Sequence, residues 1–294
     1  MADHDAPEDR EEKRQVAGVF SRVARDYDQV GPGFFARFGA RLTEVAGVRP
    51  GQTVLDVACG RGASLLPAAR RAGPGGEVLG VDLSQGMVDE LARDIRVWRL
   101  GNAQVQLMDA EHLTLPAGAF DHVLAGFCVY FFPHLERALA EMRRVLRPGG
   151  RLTLSTWGRT PAEWQWLDDL IDAYLPDFTE EDEARDGPRF ADPEEMRALV
   201  RGAGFVRAEV AAEDATFTYA DEDEWWGNLG STWARDDLER IEAHSGPAGL
   251  TKFEAEARER LLAMREPGTP CIREAMHVLY TRADKPGVIT SASR

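Results

Sequence analysis

The sequence predicts an α/β fold in which a mostly parallel sheet is covered by helices on both faces. Three observations predict it. From residue 52 onward, short apolar runs (53–58, 77–82, 103–108, 120–126 and 151–157) alternate with segments of helical periodicity. The runs are apolar throughout rather than at every second residue, as expected of strands buried on both faces. Between them, Met87, Leu91, Ile95 and Trp98 form one apolar stripe at helical spacing, and Leu135, Leu139, Met142 and Leu146 form another.

Ahead of that region, residues 1–14 (MADHDAPEDREEKR) are acidic and lack an apolar core. They read as a flexible tail and not as a secretion signal. Val16, Val19, Phe20, Val23, Ala24 and Tyr27 predict an amphipathic helix over 15–27. Gly31-Pro32-Gly33 stops it, and a second helix follows over 34–47. Residues 15–47 then form an N-terminal helical lid. The core, 48–157, opens with Val54-Leu-Asp-Val-Ala-Cys-Gly-Arg-Gly62, a strand running into a glycine turn and a helix. Near its end, Pro148-Gly149-Gly150 reads as a tight turn feeding the fifth run.

Beyond 157 the rhythm loosens. A helix over 161–174 leads into an acidic stretch, 177–195, and a further helix covers 193–202. Strands are expected at 205–210 and 275–282, separated by an insertion, 213–270, too long for a loop. Trp157, Trp164, Trp166, Trp225, Trp226 and Trp233, six of the seven tryptophans, lie in this half. Residues 158–190 and 213–270 therefore read as a substrate cap, with 191–212 and 271–284 completing the core sheet and 285–294 a flexible tail.

Composition narrows the function. The net charge of −15 comes without a basic cluster, which opposes nucleic-acid binding, since that needs a cationic surface. Cys59, Cys128 and Cys271 are too scattered for a disulfide framework or a zinc site, so no metal is expected. No apolar run is long enough to span a bilayer, and a cytoplasmic protein without membrane partners is expected.

The chemistry concentrates at the ends of the first three runs. Gly60 and Gly62 let the backbone approach a ligand that a Cβ would exclude, and the next helix presents its N-terminal N–H groups there. Asp82 ends the second run, where a carboxylate can accept both hydroxyls of a ribose. Asp109 ends the third, where it can accept an adenine amine. A dinucleotide site shares the first two features, but Leu65 replaces its third glycine. Nor does any tyrosine precede a lysine by four positions, Tyr130 being followed there by His134.

With VFSRVARDYD, VLDVACGRG, GVDLSQGMV, MDAEHL, FDHVLAGFCVYFF and LRPGGRLTLSTW in this order, the chain resembles the class I S-adenosylmethionine (SAM)-dependent methyltransferases. The likeness covers about residues 15–157. It lies in the branch of the ubiquinone/menaquinone C-methyltransferases and actinomycete natural-product methyltransferases. It implies a Rossmann-like, seven-stranded sheet whose last strand is antiparallel, with SAM as cofactor. It further implies that Asp56, Ala58, Gly60 and Gly62 line the methionine part, and that Asp82 binds the ribose with Leu83 and Met87 against adenine. Asp109 and Ala110 would meet the adenine edge, Gly126 and Phe127 would border the sulfonium, and Tyr27 would fold over the cofactor. After the YD pair the quinone enzymes continue with Met-Asn, whereas this chain reads Gln-Val-Gly-Pro-Gly-Phe-Phe, which favours the natural-product branch.

The expected function is methyl transfer to a small, partly apolar, secondary-metabolite-type substrate. The alternative is a SAM-binding methyltransferase-fold enzyme catalysing cyclisation, or C-methylation, with or without cyclisation, of a prenyl or prenyl diphosphate substrate. Catalytic candidates are Tyr27 and His134, although His134 also suits a helix start beside Pro133. Substrate-contact candidates are Tyr130, Glu163, Trp225 and Trp226, where the tryptophans equally suit a small core within the cap. Asp168 and Asp172 share a helix face and imitate a magnesium–diphosphate motif, but with Leu167, Leu170, Ile171 and Tyr174 on the apolar side a solvated acidic face is the simpler account. A homo-oligomer through the N-terminal helices is the expected assembly.

Overall fold

The computed structural model describes residues 6–175, 190–232 and 234–287. Its strands are β1 (Thr53–Val57), β2 (Glu77–Asp82), β3 (Ala103–Leu107), β4 (Phe120–Gly126), β5 (Leu146–Trp157), β6 (Val206–Tyr219) and β7 (Ile272–Asp284). Its helices are α1 (Pro7–Val23), α2 (Phe34–Ala46), α3 (Leu65–Ala72), α4 (Gln85–Val97) and α5 (Leu135–Val145), then α6 (Gln165–Tyr174), α7 (Pro193–Gly202), α8 (Glu222–Leu229) and α9 (Arg235–Ala263).

All seven strands join one sheet in the order β3-β2-β1-β4-β5-β7-β6, with β7 antiparallel to both neighbours. The chain winds outward from β1 to β3 and then returns to pair β4 with the other side of β1. The strand order reverses there, and in open α/β sheets the carboxyl ends of the strands form a crevice at such a reversal.

α5 and α7 cover one face, where Leu139, Met142 and Met196 pack with Val57, Val123 and Leu152. α2, α3 and α4 cover the other, where Leu42, Leu65 and Leu91 pack with Val54 and Leu124. Each such side chain contributes about 1.5–3 kcal/mol on burial, so packing rather than helix propensity holds the layers. The helix starts are marked locally: the Ser84 side chain caps α4, and Asp192 caps α7 ahead of Pro193.

Several elements differ from expectation. α1 begins at Pro7, inside the stretch read as a tail, with Glu8 and Asp9 complementing its N-terminal dipole. It ends at Val23, and its apolar side, Val19 and Val23, is buried within the chain itself. The α4 stripe stops at Ile95, since Trp98 is half exposed under the guanidinium of Arg70. Pro148-Gly149-Gly150 lies inside β5 rather than ahead of it, with Gly149 at φ 79, and the register shifts there: Phe120 pairs with Leu146, and His122 already pairs with Arg151.

β6 continues nine residues past its expected end, because 215, 217 and 219 are buried while 214, 216 and 218 are exposed, the alternation of a strand with one wet face. β5 pairs with β7 only as far as Trp157–Val278, whereas β6 and β7 stay paired to Tyr219–Ile272. The hairpin therefore rises past the carboxyl end of β5 as a wall. The segment between its strands starts at 220, not 213. α6, α8 and α9 pack there around Trp164, Trp225, Tyr219, Leu261 and Ile272, and around Leu238, Ile241 and Phe253. Gly246 (φ 70) and Pro247 break α9. Trp233 and most of the acidic stretch lie outside the described residues. No described helix is long and apolar enough to cross a membrane.

Candidate cofactor site

A cavity of about 410 Å³ lies at the carboxyl ends of β1 to β5, a size suited to a small-molecule ligand. The twelve residues expected around a cofactor come together on its walls: Tyr27, Asp56, Ala58, Gly60, Gly62, Asp82, Leu83, Met87, Asp109, Ala110, Gly126 and Phe127.

The glycine turn is shaped by close packing. Gly62 sits at φ 82, and a Cβ there would lie 2.6 Å from Leu91 Cδ1. Three non-glycine residues on the walls also hold left-handed backbone, Asp28 at φ 56, Ala58 at φ 51 and Phe127 at φ 52. Strain of this kind, of order 1–3 kcal/mol, persists where surrounding structure enforces it and concentrates at functional sites.

The carboxylates have distinct environments. Asp82 accepts hydrogen bonds from Gly60 N and Ser84 N, both at 2.8 Å, and burial nevertheless raises its pKa. Asp56 is only 2% exposed; burial, with the charge of Asp82, pushes it up to about 8. Its Oδ2 has no hydrogen-bond partner among the described residues, and neither does Ser155 Oγ, which lines the same cavity. Asp109 accepts from Glu111 N at 2.9 Å and from Lys13 Nζ at 2.8 Å. Burial raises its carboxyl, but those bonds and the lysine charge more than offset this and hold it below the ordinary value.

Beyond Gly126 the walls are aromatic. Tyr27 stacks on Phe35 with ring centroids 5.2 Å apart, Phe35 meets Phe127 edge-on, and Phe127 lies 4.2 Å from Trp157. Burial drives the Tyr27 phenol far above its ordinary pKa.

Other expected residues lie elsewhere. His134, a candidate base, pairs through Nε2 with Asp9 Oδ2 at 2.8 Å and is not among the residues lining this cavity. The Tyr130 hydroxyl accepts the Trp157 backbone N–H at 2.7 Å, and its ring packs on Phe190. Glu163 is exposed. Trp225 stacks with Trp164 and donates to Glu274, while Trp226 packs against Phe253, so both serve the core of the cap. Asp168 and Asp172 lie on α6, away from the cavity walls.

Conversely, several wall residues escaped the sequence reading, among them Phe35, Ser155, Asp28 and Lys13. Phe35 was an ordinary helix-start apolar, and Ser155 a strand polar. Asp28, at φ 56, accepts from Phe35 N and Ala36 N, caps α2, and is pushed by burial to about 6. Lys13 carried one signal, being one of only three lysines.

Sheet order and cavity together define an α/β enzyme that binds a nucleoside cofactor at its switch point. Residues 54–150 match the model of the methyltransferase-domain family. Nocamycin O-methyltransferase from Saccharothrix syringae is 36% identical over 211 residues, 67% of this chain and 74% of that protein. The ubiquinone/menaquinone biosynthesis C-methyltransferase UbiE from Ralstonia nicotianae is 39% identical over 175 residues, 57% of this chain and 69% of that protein. The YcgJ protein from Bacillus subtilis shares the fold, with a TM-score of 0.57 at 21% identity over 86% of this chain and all of that one.

The chain belongs to the class I SAM-dependent methyltransferases, and SAM is its cofactor. The residues present suit that molecule. Asp56, Asp82 and Asp109 give the cavity three acidic groups, and the partnerless Asp56 Oδ2 and Ser155 Oγ are polar atoms that a zwitterionic ligand can satisfy.

Proposed function

We propose that this enzyme methylates a small, partly apolar acceptor of the secondary-metabolite type by in-line displacement. The observation that carries this reading is the aromatic wall of Tyr27, Phe35 and Phe127 beside Gly126, backed by Trp157 behind Phe127. Rings so arranged accept a flat or apolar molecule and exclude water. The O-methyltransferase acting in the nocamycin series supports the same class. The acidic chain disfavours polyanionic acceptors by repulsion.

The bound cofactor supplies a methyl group activated on its sulfonium. Asp82 is placed for the ribose hydroxyls and Asp109 for the adenine amine, with Leu83, Met87 and Ala110 against the ring. Asp56 and Ser155 are placed for the amino-acid end. Tyr27, held protonated by burial, is a hydrogen-bond donor and not a base. The remaining task of these residues is to hold the acceptor and methyl carbon about 3–3.5 Å apart and in line. α1 and α2 serve as the lid, and α6, α8 and α9 as the cap.

The test is a panel of polyketide, terpenoid and indole acceptors incubated with methyl-labelled SAM. Label in an apolar acceptor, matched by S-adenosylhomocysteine release, is expected. Conversion without label would mean cyclisation instead, and label confined to prenyl diphosphates with magnesium would assign the other chemistry.

A further inference from the structure

We propose that Lys13 sets the purine specificity of the cofactor site by fixing Asp109 as an acceptor for the adenine amine. The proposal rests on the placement of adenine at Asp109 argued above.

Lys13 is 2% exposed, a rare state for lysine, whose charge must then be paired. Its ammonium lies between two carboxylates, 2.8 Å from Asp109 Oδ2 and 2.9 Å from Glu111 Oε2. It comes from α1, and Lys13, Val16, Ala17 and Phe20, on one helical face, form a wall of the cavity. A segment far away in sequence thus completes the end of the pocket that β3 begins.

The consequence for Asp109 is geometric. Lys13 holds Oδ2 at 2.8 Å, beside a longer contact from His112 Nδ1 at 3.4 Å, and the Glu111 N–H holds Oδ1 at 2.9 Å, which fixes the carboxylate's orientation. Each carboxylate oxygen can accept more than one hydrogen bond, which leaves capacity toward the cavity. The same contacts keep the group ionised and therefore acceptor-only. An acceptor-only wall favours a purine that presents an amine and opposes one that presents a carbonyl oxygen, because two acceptors then face each other unpaired. Without the lysine, Asp109 could rotate or take up a proton and tolerate either purine.

Lys13 could instead do no more than dock α1, and the test separates the two roles. Calorimetry compares S-adenosylhomocysteine with S-inosylhomocysteine, which carries a 6-carbonyl and an N1–H in place of the 6-amine and bare N1, on wild type, Lys13→Met, Lys13→Arg and Val19→Ala. Val19 is buried on α1 but is not a cavity wall. Wild type is expected to prefer the adenine compound by about a hundredfold. Lys13→Met should weaken the adenine compound about tenfold and leave the inosine compound unchanged or tighter, so discrimination collapses. Lys13→Arg, which keeps the charge, should retain more discrimination than Lys13→Met. Val19→Ala should weaken both compounds equally. An equal loss for both compounds in Lys13→Met, or no change in either, overturns the proposal, as does a wild type that binds both purines alike. A wild type that binds neither compound overturns the cofactor reading itself.

Discussion

The guanidinium of Arg61 closes the end of α1: its Nη1 donates to the carbonyl of Ala24 at 2.7 Å and to that of Arg25 at 2.9 Å. Its Nη2 pairs with Asp94 on α4 at 2.7 Å. Arg61 stands between Gly60 and Gly62 in the cofactor turn, so one side chain ties that turn to the roof helix and to α4. Removing it strands the Asp94 carboxylate and frees the last carbonyls of α1. Arg61→Met should cost about 2 kcal/mol of stability in urea unfolding. Hydrogen exchange across 7–27 should speed up more than in β1. Unchanged exchange across α1 would show that apolar packing alone holds the roof.

A second expectation concerns pH. In the folded chain Asp56 and Asp28 titrate at about 8 and about 6, above the usual range, chiefly because burial disfavours their charge. A carboxyl raised in the native state binds its proton more tightly there than in the unfolded chain. The stability it lends is complete below about pH 4, and is lost as pH rises through about 6 and about 8. Asp109 has the opposite sign: its folded pKa is depressed, so its contribution is present at neutral pH and lost in acid. Urea midpoints of the cofactor-free protein should therefore fall from about pH 6 to 8, and Asp56→Asn should flatten that slope. S-adenosylhomocysteine, whose ammonium can partner Asp56, should flatten it too. Equal slopes in all three samples would remove Asp56 from the amino-acid end of the cofactor.

The extent to which the sequence revealed this arrangement follows from what each signal depends on. β1, β2 and β4 were readable because burial on both faces leaves continuous apolar runs, and the motif carboxylates were readable because each ends such a run. The outer half of β6 was not, because Phe217 and Tyr219 face inward between exposed threonines, a pattern that competes with helix-rich surroundings. Lys13 was hidden for a different reason. Within an acidic helix a lone lysine resembles a solvated partner for its neighbours, and the carboxylates it meets lie 96 and 98 positions away. The cap tryptophans were readable as apolar but not as to which cavity they served, since stacking with Trp164 depends on how α6 and α8 meet.

The acceptor wall yields a third expectation. Trp157 packs on Phe127 but is not itself a cavity wall of the cofactor. Trp157→Phe should raise KM for an aromatic acceptor about fivefold, consistent with the loss of roughly 1 kcal/mol of the ring contact that holds Phe127 in place. Affinity for S-adenosylhomocysteine should stay near wild type. A loss confined to cofactor affinity would move this ring from the acceptor side to the cofactor side.

The central claim is that the cavity at the ends of β1 to β5 holds SAM with its ribose on Asp82. Isothermal titration of S-adenosylhomocysteine into wild type and Asp82→Ala tests it most directly. The substitution removes the acceptor of Gly60 N and Ser84 N and leaves buried ribose hydroxyls unpaired. Saturable binding by wild type, weakened by about 2 kcal/mol or more in Asp82→Ala, is the predicted result. Wild-type affinity in the variant, or no binding by either protein, would contradict it.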